Sequence, residues 1–227
     1  MRRRLWAVSC RGKFVSMRIR SAAVAPFFKN GYVVSCEETR EGVLIDPGDE
    51  VPDLLRWIRQ DGVIVRAILL THAHLDHITG AGSAKAALAA PIWLHRDDLF
   101  LYEAAVEQGQ MFGVPVEAPP PVDHFYAPET TIPFGSYVVK ALHTPGHCPG
   151  GVCLAISPEG RDTELFVGDT LFAGSIGRTD LPGGDLSVLL LSIRNVLFGF
   201  ADSTIVHSGH GPDTTIGTER RSNPFLV

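Results

Sequence analysis

The run Thr71-His72-Ala73-His74-Leu75-Asp76-His77 places three imidazoles and one carboxylate within six consecutive residues, directly after the apolar stretch Val63 to Leu70. An apolar run that breaks into such a cluster reads as a buried strand leaving the core. Alternate side chains of an extended backbone share a face, so His72, His74 and Asp76 point one way, while His77 turns off as a helix begins. Neutral imidazole nitrogen and carboxylate oxygen are ligands of catalytic zinc and of non-heme iron. The cluster therefore reads as a metal site at a strand end rather than as a His-rich surface loop.

The flanking pattern alternates short apolar runs with amphipathic ones. Strands are expected at Arg18 to Ala25, Tyr32 to Cys36 and Val43 to Ile45, closing on the turn Asp46-Pro47-Gly48. A helix follows over Val51 to Gln60, with Leu54, Leu55 and Ile58 at core-facing spacing, then the strand Val63 to Leu70 and a helix through Ala84 to Ala90. Further on, a strand is expected at Pro91 to His95, a helix at Asp97 to Gln110, and a Pro-rich surface crossing at Pro115 to Pro121. Strands return at Tyr137 to Leu142, Val152 to Ile156 and Glu164 to Val167, followed by a helix at Leu186 to Phe198 and a last strand at Thr204 to His207. Strand-rich halves that each end in helices predict two packed sheets with helices outside.

At 227 residues and 45% hydrophobic content the chain suits one domain with a full core. The four cysteines show no paired short spacing, and Cys36 and Cys153 sit in strand-like runs, which predicts buried free thiols in a reducing compartment, the cytoplasm. A net charge of -5 leaves no basic stripe for a phosphate backbone, so nucleic acid is not an expected partner. No apolar stretch reaches the roughly 18 residues of a membrane span. Residues 1–16 open with Met1-Arg2-Arg3-Arg4, but the apolar piece after them is too short for a signal peptide. They are expected to form a loosely ordered extension, with residues 17–227 as the domain and either Met1 or Met17 as the start.

Three further ligand candidates lie in Gly-containing turns after apolar runs: His147 in Thr144-Pro145-Gly146-His147, Asp169 in Val167-Gly168-Asp169-Thr170, and His210 in Ser208-Gly209-His210-Gly211. Glycine beside a ligand permits the sharp turns and close approach that a site built from several strand ends needs.

In this ordered pattern, the chain resembles the metallo-β-lactamase superfamily, in its glyoxalase-II-like branch of small hydrolases. A His-x-His-x-Asp-His loop, then a His after Pro-Gly, an Asp after Gly and a final His after Gly are matched at all seven positions. Ile45-Asp46-Pro47-Gly48, Phe172 through Arg178, and Thr215-Ile216-Gly217 through Asn223-Pro224-Phe225 add to the likeness. The resemblance implies an α/β fold, a four-layer αββα sandwich of two mixed sheets with helices outside. It further implies that His72, His74 and His147 hold one divalent metal, that Asp76, His77 and His210 hold a second, and that Asp169 bridges them. Zinc comes first as the metal, with iron or manganese compatible with the same ligands. Asp76 and Asp169 carry catalytic roles in this reading, Asp46 braces a ligand from behind, and Arg178 grips a substrate carboxylate.

The implied reaction is hydrolysis of a small thioester such as S-lactoylglutathione by a metal-bridging hydroxide, in a monomer or homodimer. A thiolate leaving group, with a conjugate-acid pKa near roughly 8.5, needs little help from a general acid. Glyoxalase II proper carries a C-terminal helical domain that helps bind glutathione, whereas this chain stops seventeen residues after His210. Thr179 and Gly211-Pro212-Asp213 also replace residues of the glutathione-binding pattern. The rival reading is persulfide dioxygenase, a relative with one iron on two histidines and one aspartate, here His72, His147 and Asp169. The ending Gly209-His210-Gly211-Pro212 ranks hydrolysis ahead of it. A β-lactamase reading is weaker, because many of those enzymes place a Cys ligand where Asp169 falls. His95, His124, His143 and His207 have no counterpart in the family pattern and read as core, loop or supporting residues.

Overall fold

The computed structural model describes residues 3–8, 14–158 and 163–227. Its first sheet runs in chain order: β1 (Arg3–Val8), β2 (Phe14–Ala22), β3 (Gly31–Cys36), β4 (Glu41–Ile45), β5 (Ile64–Leu69), β6 (Ile92–Leu94) and β7 (His124–Phe125). The first four strands pair antiparallel and the last four pair parallel. The second sheet holds β8 (Thr131–Phe134), β9 (Tyr137–His143), β10 (Val152–Pro158) and β11 (Glu164–Gly168) as an antiparallel meander. A small hairpin, β12 (Leu171–Phe172) and β13 (Ser175–Ile176), interrupts before β14 (Ile205–Ser208) joins β11 in parallel and β15 (Thr214–Thr215) closes the edge.

Period-2 alternation in these strands builds the layers. Tyr32, Val34, Cys36, Val43, Ile45 and Leu69 of the first sheet face Val139, Val152, Leu154, Ile156 and Phe166 of the second in one buried cluster. Their neighbours Val33, Leu44, Ile68 and Leu70 point outward, beneath α1 (Val51–Asp61), α2 (Leu75–Ile78), α3 (Ala81–Leu88), α4 (Leu99–Glu103) and α5 (Ala105–Phe112). Cys153, Leu165 and Val167 lie under α6 (Leu186–Asn195) and α7 (Ile216–Ser222) in a third cluster. The order helices, sheet, sheet, helices is the four-layer α/β sandwich that the pattern implied.

Local signals set the helix ends. Pro52 opens α1, where its missing N–H costs nothing, and Gly62 closes it at φ +64°. Asp185 and Thr215 cap α6 and α7 by accepting from Val188 N and Thr218 N.

Several expectations shift. The helix expected over Asp97 to Gln110 is a 3₁₀ turn, Arg96–Asp98, followed by α4 and α5. The break at Ala104 coincides with Gln108, whose amide donates to Leu101 O at 2.7 Å and so takes up the carbonyl that a continuous helix would use. β14 is not the last element, since β15 and α7 follow; Ile216 and Leu226 seal the third cluster. The boundary drawn at Met17 falls inside β2, and Arg3–Val8 pair with that strand; residues 1–2 and 9–13, with Cys10 among them, lie outside the described residues. Cys36, Cys148 and Cys153 are buried free thiols. Among the described residues no helix is long and apolar enough to cross a membrane.

Candidate metal centre

The ends of six strands converge at one rim of the sandwich. β5 delivers Thr71 and the His72–His77 loop, β9 and β10 frame the loop with His147, β11 ends at Asp169, β14 ends before His210, and β4 ends at Asp46. All seven candidate ligands meet there. His72 Nε2 and His74 Nδ1 lie 3.3 and 2.8 Å from His147 Nε2. On the other side His210 Nε2 is 3.1 Å from Asp76 Oδ2, and His77 Nε2 is 3.7 Å from the same oxygen. Asp169 stands between the two groups: Oδ2 is 3.8 Å from His147 Nε2 and 3.5 Å from His210 Nε2, and Oδ1 is 3.3 Å from His77 Nε2.

Without a cation this arrangement is electrostatically poor. Burial, reinforced by the neighbouring imidazoles, drives the His72 pKa well below its ordinary value, and burial and His147 take His74 down to about 3. Both are therefore neutral bases near pH 7, the form that binds metal. Burial opposes charge on His77 as well, but Asp76, Asp169 and Asp46 outweigh it and raise its pKa to about 10. Burial raises Asp76, yet His77 and the hydrogen bond from His210 leave it lowered; Asp169 is lowered further, by His77, His147 and His210.

The fit to metal rests on unpartnered atoms. His74 Nε2, His77 Nε2 and Asp169 Oδ1 are buried without a well-formed hydrogen bond, the last two facing each other at 3.3 Å, a state that costs free energy unless something else occupies them. Two groups, His72–His74–His147 and Asp76–His77–His210, each bring three donor atoms within 4.8 Å of one another, as cation sites require. Gly209 keeps the centre compact, since a Cβ there would overlap Asp169 Oδ1 and press within 2.9 Å of His77 Cε1.

The supporting residues were only partly visible in sequence. Asp46 sits at φ +46°, in the left-handed region that Asp tolerates better than most residues. It accepts from Thr71 N at 2.7 Å, Thr71 Oγ1 at 2.6 Å and His77 Nδ1 at 2.9 Å. Behind it Lys29, 2% exposed, donates to the Asp46 carbonyl and pairs with Glu50 at 2.6 Å. Asp98 accepts from Ala73 N, Gly150 N and Cys148 Sγ, joining the loop of His72 to the loop of His147. Neither Lys29 nor Asp98 carries a sequence signal, because each acts through backbone brought near only by the fold.

Arg178 reaches the centre by its backbone: His147 Nδ1 donates to Arg178 O at 2.7 Å, while the guanidinium pairs with Asp180 at the surface. The Cys148 thiol is occupied by Asp98, and burial and that carboxylate push its pKa well up.

A sequence profile of the metallo-beta-lactamase superfamily matches residues 24–210. Hydroxyacylglutathione hydrolase GloC of Haemophilus influenzae is 38% identical over 212 residues, 92% of this chain and 98% of GloC. The crystal structure of the BLEG-1 B3 metallo-beta-lactamase superposes with a TM-score of 0.83 at 37% identity, over 92% of this chain and 100% of that one. TTHA1623 in its di-iron-bound form superposes with a TM-score of 0.79 at 42% identity, over 91% and 100%. The chain belongs to the metallo-beta-lactamase superfamily and is a metallo-hydrolase by that membership.

Proposed function

We propose that the chain hydrolyses small thioesters such as S-lactoylglutathione, with His72, His74 and His147 holding one divalent metal, Asp76, His77 and His210 a second, and Asp169 shared between them. The observation that carries this reading is the position of Asp169, whose two oxygens lie between the two donor groups. Nitrogen and oxygen donors of this kind accept zinc first, and iron or manganese by availability. The likeness to GloC supports the thioester, and the di-iron form of TTHA1623 supports a pair of ions.

Held there, the metals would supply Lewis acidity toward a carbonyl and a lowered pKa for water. The chain's own groups do the rest. Asp76, kept ionised beside His210, orients the attacking water and takes its proton. Asp169 fixes the distance between the two donor groups. Asp46 and Arg178 O hold the rings of His77 and His147 in one tautomer by accepting from their Nδ1 atoms. Cys148 is buried and engaged, so it offers no nucleophile of its own. The thiolate then leaves without a dedicated acid, its conjugate acid having a pKa near roughly 8.5. Arg178 would grip a substrate carboxylate only by exchanging Asp180 for it. The buried free thiols support a reducing compartment, and we place the chain in the cytoplasm.

Purified protein is expected to carry close to two metal ions per chain and to cleave S-lactoylglutathione without consuming oxygen. Oxygen uptake with glutathione persulfide at one iron per chain would instead establish the dioxygenase reading.

A further inference from the structure

At the seam between the two sheets, His95 follows the end of β6 and His143 ends β9, and the two rings stack face to face with centroids 4.1 Å apart and planes 9° from parallel. Asp97, in the adjoining 3₁₀ turn, completes a group in which one donor atom of each residue lies within 4.8 Å of the others. His95 Nδ1 and Asp97 Oδ2 are 3.8 Å apart. Neither ring is claimed by the chemistry above.

The hydrogen bonds of the two rings identify the nitrogen of each that can serve as a ligand. His143 Nε2 donates to Pro149 O at 2.8 Å; a carbonyl only accepts, so Nε2 carries a proton and Nδ1 is the ring's ligand atom. A ring nitrogen tied to a carbonyl is the usual support of a metal-binding histidine. His95 Nδ1 accepts a long bond, 3.3 Å, from Asp97 N and is likewise the unprotonated nitrogen. Ligands around a tetrahedral ion are about 3.3 Å apart. An ion lies in the plane of each imidazole that binds it, so metal binding requires the exposed His143 ring to turn out of the stack; Asp97 is exposed as well and free to follow.

We propose that His95, Asp97 and His143 form an additional site for a divalent transition-metal ion, zinc, nickel or copper, separate from the His72–His210 centre. Two imidazoles and one carboxylate match that class of ion and not magnesium, which demands oxygen ligands. The placement gives the ion a role. β6 belongs to the first sheet and β9 to the second, so a cation here clamps the two sheets at their rim. It does so beside Asp98, the carboxylate that joins the His72 and His147 loops.

The test starts from protein loaded with metal and freed of excess, then titrated with Zn²⁺ by calorimetry, with total bound metal counted by elemental analysis. Wild type is expected to bind one more equivalent than His95→Ala or His143→Ala, while all three keep the same tightly held metal and the same hydrolytic rate. Asp97→Asn should weaken the extra equivalent at least tenfold, and Mg²⁺ should not fill it. Because the ion binds only the folded chain, the thermal midpoint should rise with Zn²⁺ in wild type and not in the two alanine variants. Equal stoichiometry in wild type and both alanine variants would overturn the proposal, as would an extra equivalent that survives the double replacement.

Discussion

Asp46 Oδ2 lies 2.9 Å from His77 Nδ1, with both side chains closed off from solvent. The same carboxylate accepts from the backbone and hydroxyl of Thr71, so one residue at the end of β4 sets the start of the histidine loop and the orientation of its last ring. Carboxylates behind ligating imidazoles fix ring orientation and raise ligand basicity. Asp46→Asn should therefore leave the fold in place while weakening metal retention by about ten- to a hundredfold. Competition with a chelator, followed by metal analysis, measures this; wild-type retention would refute the bracing role.

Asp169 is the group both halves of the centre share. Asp169→Ala is expected to remove several kcal/mol of transition-state stabilisation, about a hundred- to a thousandfold in turnover. Circular dichroism should show an unchanged fold, since Asp169 packs against the other candidate ligands rather than the core. Near-normal kinetics would show that it does not link two ions.

Removing metal should cost stability as well as activity. The centre crowds buried imidazoles and carboxylates, and three of its buried polar atoms have no partner in the protein. Chelation is therefore expected to lower the thermal midpoint by several degrees, with stability and turnover returning together when Zn²⁺ is restored. A midpoint indifferent to chelator would mean that no ion sits among these groups.

His207 is expected to give stability a pH dependence of its own. Its ring stacks on Phe166 and lies between Asp213, 3.0 Å from Nδ1, and Glu164, 2.6 Å from Nε2. Burial lowers its pKa, but the two carboxylates more than offset that and leave it raised. A raised folded-state value means the contribution is fully present below the unfolded pKa of about 6.5 and is lost as pH rises through the folded value. His207 and Asp213 also close a short loop with His210 at its middle, so the pair steadies a candidate ligand. His207→Gln should cost about 2–3 kcal/mol near pH 6 and progressively less at higher pH. Urea midpoints of both proteins measured from about pH 5 to pH 9 would show this; a constant gap would exclude a charged His207.

Asp98→Ala tests the joint between the two histidine loops. It strips acceptors from two backbone N–H groups and the Cys148 thiol, all buried, and should destabilise by about 3 kcal/mol or more. The same change should loosen metal retention, because the His72 and His147 loops lose their shared anchor. Denaturant unfolding with metal analysis reads both effects, and wild-type values in either would contradict the assignment.

The chain's sequence determined which groups are available for chemistry, because ligand type and local spacing are written in consecutive residues. His72 to His77 sit in one loop, and His147, Asp169 and His210 each follow a glycine after an apolar run; strand-rich halves that each end in helices likewise declared two packed sheets. The convergence of those loops was decided only in three dimensions. Asp169 comes to lie between the two donor groups, with His210 beside it, because β14 pairs parallel to β11, a relation between segments that no local pattern encodes. The same holds for Asp98 and Lys29, whose backbone and side-chain partners are distant in sequence, and for His95 and His143, which meet only where the two sheets close. Local propensity acts over a few residues, whereas a site assembled from six strand ends depends on the packing of the whole core.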